Sequence, residues 1–543
     1  FVVKQVHGSD TAKTHKRSAH TTLPLTAKPV WSTWGWRSSV DIEILGLRAN
    51  TEYVYHVTLA DGETQSITFE TSDTLEGMPD MVVETVDTTK MADGWTWTSV
   101  FPAPNQNQTD EHKYFTATVM LDEDGEVAWV MDCDTLFKGT PYWNLNENWC
   151  GITGTQSVLN NGNLLLLWNI YGAMVHIEDG FAGLVEVDWS GNIQMMWAST
   201  RDIPLWSVPL LPKPAVYVDT IVLNHQVDQL PNGNLIGIGF DTVELQCDGW
   251  EKMTKVYGNE MVEFDYHTGY VYNRWSMFDA IDVCSTADST EIAYNGEWTH
   301  LNSFDLSNVE SRNEMIVSAF YLGWIIAVRY ADDDEGKAGS LKWVVGQGWE
   351  DPVSMVDYTS SLPRFDLSHN KNAGLTVDQD RYDPGQHNIN VVPGSNGTKL
   401  LAFDNSAYDA RGMGVPSRLV IYEISELPTD AEAPGQASVA WSYVDGGKSP
   451  FLGGAQYLDN NSVLGCFGAL TNPDENWDNR ACWDHSNCNQ AHIVEVTEAG
   501  EVVFSVRVGG RDADGTCGDN TNSLSWNSYR ALRVPVPSYA TKA

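Results

Sequence analysis

Basic residues are scarce in this chain, and long apolar runs are missing. Its 543 residues hold 32 Lys and Arg against 73 Asp and Glu, a formal net charge of −41. Such a surface repels phosphate backbones, which excludes nucleic acid as a partner, and it suits a secreted or salt-exposed protein. No stretch of about 18 apolar residues exists, so no transmembrane helix is expected. The richest stretch, MIVSAFYLGWIIAV at 315–328, reads as two strands joined by a turn. A sustained helical period is also lacking, and none of the eight cysteines forms a CxxC pair of zinc-finger spacing.

What is abundant is turn chemistry between short apolar strands. The chain is 42% hydrophobic with 45 Gly and 22 Trp, an all-β profile. Stacked on its turns, it repeats. HQVDQLPNGNLIGIGF begins at His225 and HNINVVPGSNGTKLLAF at His387, each with its proline (Pro231, Pro393) six residues on. GTQSVLNNGNLLLLWN from Gly154 and GGAQYLDNNSVLGCFG from Gly453 fit the same frame. Each is a strand, an Asn/Gly turn that tolerates positive φ, and a strongly apolar strand. A second unit with its own turn follows each: 184–198, 261–276, 419–444 and 492–508, with aromatic or apolar residues on the outer strand.

Four strands recurring every roughly 40 to 90 residues make a propeller blade with variable loops. Six blades are expected. Residues 114–132 supply the outer part of blade one, and 155–198, 225–276, 300–346, 387–444 and 454–508 supply blades two to six. The tail SYRALRVP (528–535) is a lone strand placed to close the ring on blade one. His225, His300 and His387 each open a repeat, so a ring would aim three imidazoles at one central cavity. Gly154 and Gly453 occupy the matching position in two other blades, which leaves room beside the imidazoles.

The domain reading is an extended basic arm at 1–26, a non-catalytic fibronectin-like β-sandwich at 27–80 and a six-bladed β-propeller at 81–543. Eight cysteines are an even number and suggest disulfides in an oxidising compartment. Cys133 with Cys150, Cys247 with Cys284, Cys482 with Cys488 and Cys466 with Cys517 is one pairing among those that spacing leaves open. Sequons at Asn107, Asn396 and Asn460, and a chain that opens at Phe1 without methionine, fit an exported glycoprotein, secreted or, in a bacterium, periplasmic. The sequence leaves a homo-oligomer open.

The series NHQVDQLPNGN (224–234), EWTHLNSFD (297–305), QHNINVVPGSNGTKLLAFDNS (386–406), SRLVIYEI (417–424) and SYRALRVP resembles the PAPS-independent arylsulfate sulfotransferases. The resemblance covers about residues 30 to 536. It implies a six-bladed propeller behind an N-terminal β-sandwich, no PAPS cofactor, and transfer from an aryl sulfate to a phenolic acceptor through a sulfated histidine. On this sequence the sulfated histidine falls on His387, the other two histidines on His225 and His300, and the asparagine of the HxN motif on Asn302. One departure stands out: the strand that carries the family's sulfate-binding arginine reads IVSAF at 316–320, which puts Phe320 at the arginine's place. Arg312, Arg381 and Arg411 are the loop arginines that could substitute for its bidentate clamp.

The chemistry is consistent with three imidazoles. Sulfuryl transfer needs a nucleophile, donors for three negative oxygens and an acid for the departing phenolate. The assignment is His387 as nucleophile, His300 as acid/base or oxygen donor, His225 as a second oxygen donor, and Asn302 orienting. The acidic chain should raise histidine pKa values, so His387 requires a shielded place. Three histidines could instead hold zinc with a water, though the resemblance assigns no metal. The acidic turns at 121–127, 331–336 and 512–519 are weak calcium candidates that lack a full loop spacing and read as solvated turns. The alternative to an enzyme is a propeller that has lost catalysis with its arginine and serves as an extracellular structural, adhesion or filament subunit.

Overall fold

The structure, a computed structural model, describes residues 2–4, 30–31, 40–41, 46–58, 63–75, 77–102, 115–132, 136, 150–170, 181–199, 215–286, 297–345, 364–366, 385–405, 416–426, 435–470, 490–509 and 526–536. They form a six-bladed β-propeller. Blade two is Cys150–Val158, Leu164–Ile170, Phe181–Val187 and Ile193–Ser199, with Ala215–Val218 added in parallel outside. Blade three is Asn224–Gln229, Leu235–Leu245, Thr254–Phe264 and Val271–Ser276, and blade four is Leu301–Asp305, Glu314–Ala319, Trp324–Arg329 and Leu341–Val345. The apolar stretch 315–328 is therefore two strands, as its sequence suggests. Blade five is Gln386–Val391, Lys399–Asp404, Arg418–Glu426 and Gly435–Val444. The short strand Arg364–Asp366 bridges the outer strands of blades four and five.

The ring closes twice. Ala531–Val534 pairs with Trp95–Pro102 and becomes the innermost strand of blade one, whose outer strands are Ala117–Leu121 and Val127–Asp132. Blade six is Gly454–Tyr457, Val463–Leu470, Gln490–Val496 and Val502–Val508, and Met81–Val86 pairs along its outer edge as a fifth strand. The C-terminal closure agrees with the sequence reading; the N-terminal one was not foreseen.

Tryptophans on the outer strands fasten neighbouring blades. The indole N–H of Trp129 donates to the Trp189 carbonyl, Trp197 to Tyr266, Trp275 to Tyr330 and Trp441 to Glu498, at 2.8–3.0 Å. Each acceptor lies at the turn that follows the third strand of the next blade. The ring buries the large apolar face and the single polar atom finds a backbone partner. In blade four the pattern changes, and Trp343 donates to Glu314 Oε1. Around the axis, inner strands are joined by side chains: Gln226 accepts from Phe304 N, Asn302 from Asn388 N, Ser303 from Ile389 N, Asn388 from Ala455 N, and Gln456 from Arg533 N. These bonds satisfy inner-edge amides that no further strand can reach.

Before the propeller, Val2–Lys4, Glu52–Thr58 and Thr64–Glu70 form one antiparallel sheet. Arg48 joins this region to the propeller through Asp122 at 2.7 Å and Asp124 at 2.6 Å. The acidic turn at 121–127 thus holds a guanidinium, and the turn at 331–336 holds Arg329, on Asp333 and Glu335. The turn at 512–519 lies outside the described residues.

Cys247 and Cys284 form a disulfide. The pairing of Cys466 with Cys517 is overturned: Cys466 is a free, buried thiol in the second strand of blade six, 3.3 Å from the Ser528 hydroxyl. The closing segment packs against it there, and burial pushes the thiol up to about 12. Cys133, Cys482, Cys488 and Cys517, like Asn107, lie outside the described residues, as does the Cys150 side chain.

Candidate functional site

The inner strands of blades three, four and five begin with unusual backbone. His225 (φ 55°), His300 (φ 49°) and Asn388 (φ 53°), the residue after His387, are left-handed. Each lies at or beside a register shift in its strand. Holding non-glycine residues there costs on the order of 1–3 kcal/mol each and persists where surrounding contacts fix it. These bulges turn the imidazoles inward.

They converge. The rings of His225 and His300 are 4.8 Å apart between centroids, and Phe320 stands 5.6 Å from His300 and 4.8 Å from His387. Tyr529, from the closing segment, stacks on His225 at 5.7 Å and meets His387 edge-on at 6.4 Å. Phe320 is thus an apolar spacer between two histidines.

Each imidazole has its Nδ1 engaged by a different partner. His387 Nδ1 meets Asn405 Oδ1 at 2.7 Å. The Asn405 amide nitrogen donates to the Ser449 and Leu452 carbonyls, both at 2.7 Å, so its oxygen must face the ring. His387 therefore carries its proton on Nδ1 and presents the Nε2 lone pair. His300 Nδ1 meets Glu297 Oε2 at 3.0 Å. His225 Nδ1 meets the Tyr529 hydroxyl at 2.6 Å, and Arg530 Nη2 approaches that hydroxyl at 3.4 Å. Arg530 donates to one lone pair of this hydroxyl, and in the tautomer of a neutral His225 that keeps its proton on Nε2 the hydroxyl donates to Nδ1.

Electrostatics run against the expectation from net charge. Burial, with His300, His387 and Arg530 adding, holds His225 well below its ordinary value. Burial pushes His387 down to about 3, against an opposing pull from the Asn405 bond. A buried imidazole responds to local desolvation and to the guanidinium beside it, whereas distant surface carboxylates are screened. The acidic chain therefore does not raise these two.

Asn302 is engaged by backbone. Its Nδ2 donates to the Gln386 carbonyl at 2.7 Å and its Oδ1 accepts from Asn388 N at 3.3 Å, so it fixes the strand that bears His387. Arg312 is likewise committed, to Glu314 at 3.1 Å; Arg381 and Arg411 lie outside the described residues. The room expected at Gly453 is filled, because Gly453 N donates to the Tyr529 carbonyl and Tyr529 and Arg530 enter the axis there. Four members of the cluster were thus missed in the sequence reading: Glu297, Asn405, Tyr529 and Arg530. All lie within motifs quoted above, but only their folded positions assign them.

Among the described residues no group of three or more His, Cys, Asp or Glu is arranged to hold a metal ion. A separate hollow of about 510 Å³ between the outermost strand of blade two and a turn of blade three is lined by Tyr217, Asp219, Tyr270 and Arg274, among others. None of the three histidines borders it.

The sequence model of a family described as Arylsulfotransferase (ASST) matches residues 69–514. No curated protein sequence matches the chain. Among solved structures, a protein of unknown function from Bacteroides caccae is similar at 12% identity, covering 74% of this chain and 91% of that one, with a TM-score of 0.31. A luciferin-regenerating enzyme is similar at 8% identity, 71% and 84% coverage and a TM-score of 0.26. Scores this low carry no functional argument.

Proposed function

The chain belongs to the arylsulfotransferase family, and on that premise we propose that it moves a sulfuryl group from an aryl sulfate to a phenol through an N-sulfated His387, without PAPS. The observation that carries this reading is the His387–Asn405 pair, which holds a neutral imidazole with its Nε2 lone pair directed into the cluster. A nucleophile that must attack an anion gains from being neutral and desolvated.

In the first half-reaction His387 Nε2 attacks sulfur and the sulfur–aryl oxygen bond breaks. The departing oxygen takes a proton from His300 Nε2, whose ring Glu297 orients. In the second, the phenolic acceptor returns a proton to His300, its oxygen attacks sulfur, and the N–S bond breaks to regenerate His387. His225 Nε2–H donates to a sulfuryl oxygen throughout. The two half-reactions share one site, which requires ping-pong kinetics.

Export is part of the same reading. The Cys247–Cys284 disulfide favours an oxidising compartment. Asn396 is an exposed sequon on a turn, whereas the Asn460 amide nitrogen is already bonded to the Lys90 carbonyl and Glu495. Asn396 is therefore the better acceptor. Residues 27–80 are read as a non-catalytic collar, and small aryl sulfates and phenols as the partners.

Phe320 favours a second reading, a propeller without catalysis that acts as an extracellular structural subunit. Transfer from p-nitrophenyl sulfate to phenol separates the two. The enzyme releases nitrophenol, His387→Ala does not, and donor alone adds about 80 Da to His387, one SO₃ group. Equal absence of release from both proteins sinks the enzyme.

A further inference from the structure

Four arginines are buried among the described residues: Arg329, Arg418, Arg530 and Arg533. Arg329 pairs with Asp333 and Glu335, Arg418 with Asp404 at 2.9 Å, and Arg533 with Glu495 at 2.7 Å. Arg530, 4% exposed, has no ion pair among the described residues. Its Nη2 reaches the Asn302 carbonyl at 3.0 Å and the Tyr529 hydroxyl at 3.4 Å, and its Nη1 reaches Gln226 Oε1 at 3.4 Å. Its Nε has no hydrogen-bond partner. The nearby carboxyl of Asp228 touches Gln226 at 2.7 Å and lies beyond ion-pair distance; burial pushes it up, toward its neutral form.

A buried guanidinium without a direct ion pair is costly. In a chain with 73 acidic residues, a guanidinium that feels Asp228 only at longer range points to a ligand that supplies the contact. Its place fits that ligand. Arg530 follows Tyr529, which touches His225 and His387, and the Arg530 charge helps hold both imidazoles neutral. Blade six makes room for it: a Cβ at Gly454 would come within 2.8 Å of the Arg530 Cβ. Gly454, next to the Gly453 that stands where other blades bear histidine, thus admits the closing segment.

We propose that Arg530, carried into the axis by the closing segment, binds the sulfuryl oxygens of the donor, and so replaces the arginine absent from position 320. The tetrahedral anion is the ligand class, and the reading rests on the transfer reaction above for its physiological source. The unpartnered Nε–H donates to a sulfuryl oxygen, while the bonds of Nη2 to Asn302 and Tyr529 and of Nη1 to Gln226 orient the planar guanidinium.

The test uses the full chain, with inorganic sulfate as a calorimetric probe and p-nitrophenyl sulfate as donor. Arg530→Gln should weaken sulfate binding about 10- to 100-fold, the loss expected for charge-assisted bonds to a buried anion. The donor KM should rise with it while the KM for phenol stays unchanged. Arg530→Lys keeps the charge without the fork and should still weaken binding roughly tenfold, which covers the case in which Arg530→Gln does not fold. Adding Phe320→Arg to a folded Arg530 variant should recover part of the sulfate affinity. Absence of sulfate binding by the natural chain, or unchanged affinity in a folded variant, overturns the proposal. Nitrophenol release that ignores Arg530 overturns it too and leaves the transferase standing. Arg530-dependent sulfate binding without nitrophenol release supports it and removes the transferase.

Discussion

At the scale of single residues the site rests on tautomers. Asn405 has no second choice of orientation, since both hydrogens of its amide are taken by the Ser449 and Leu452 carbonyls. Its oxygen therefore fixes the proton of His387 on Nδ1. Asn405→Ala lets the imidazole turn or carry its proton on Nε2, where it cannot attack. Sulfation of His387 should slow about 100-fold or more, by analogy with removal of the orienting group from other catalytic histidines. Rapid-quench mass measurement of the about 80 Da adduct reads this step directly, and donor KM should barely move, which separates loss of tautomer control from loss of binding. An unchanged sulfation rate in the folded variant would refute the role. The histidines were legible because each opens a repeat. Asn405 was not, because it stands 18 residues after His387, at the end of the second strand, and its motif is indistinguishable from turn chemistry.

At the scale of elements, the closing segment is both seal and ligand carrier. Ala531–Val534 pairs with Val534 opposite Trp95 and Ala531 opposite Thr98, and the residues just before it bring Tyr529 and Arg530 to the axis. A chain ending at residue 525 should therefore lose stability and transfer together. A synthetic peptide spanning 526–543 added in trans should restore both; a truncated chain that melts with the full-length protein would show that the seal is not needed. The outer-strand tryptophans and this tail were readable in the sequence because their period-2 patterns are bounded by turns. Two neighbouring strands were not. Trp95–Pro102 is buried at every position, so no alternation marks it. Met81–Val86 alternates between exposed and half-buried, a pattern that marks a strand but does not say that it pairs with blade six. Contacts between residues about 420 apart, such as Ser505 with Glu84, leave no local trace in the sequence.

At the scale of the molecule, two fields oppose each other. The formal charge of −41 repels an aryl sulfate as it approaches, whereas Arg530 attracts it once it is inside. Salt tells them apart, because exposed charges are screened and buried ones are screened much less. Raising ionic strength from about 0.01 M to about 0.1 M shortens the screening length from roughly 30 Å to roughly 10 Å. Repulsion over the surface should fade while the short contact to Arg530 persists. The kcat/KM for an anionic donor should therefore rise a few-fold with salt, opposite in sign to the fall seen when charge steers a ligand inward. The same quantity for a neutral phenolic acceptor should stay flat, and in a folded Arg530→Gln protein the rise should persist on a lower baseline. A fall with salt for the anionic donor would mean that a local basic field, not the net charge, governs its approach. That result would place the decisive electrostatics at the mouth of the ring rather than over its surface.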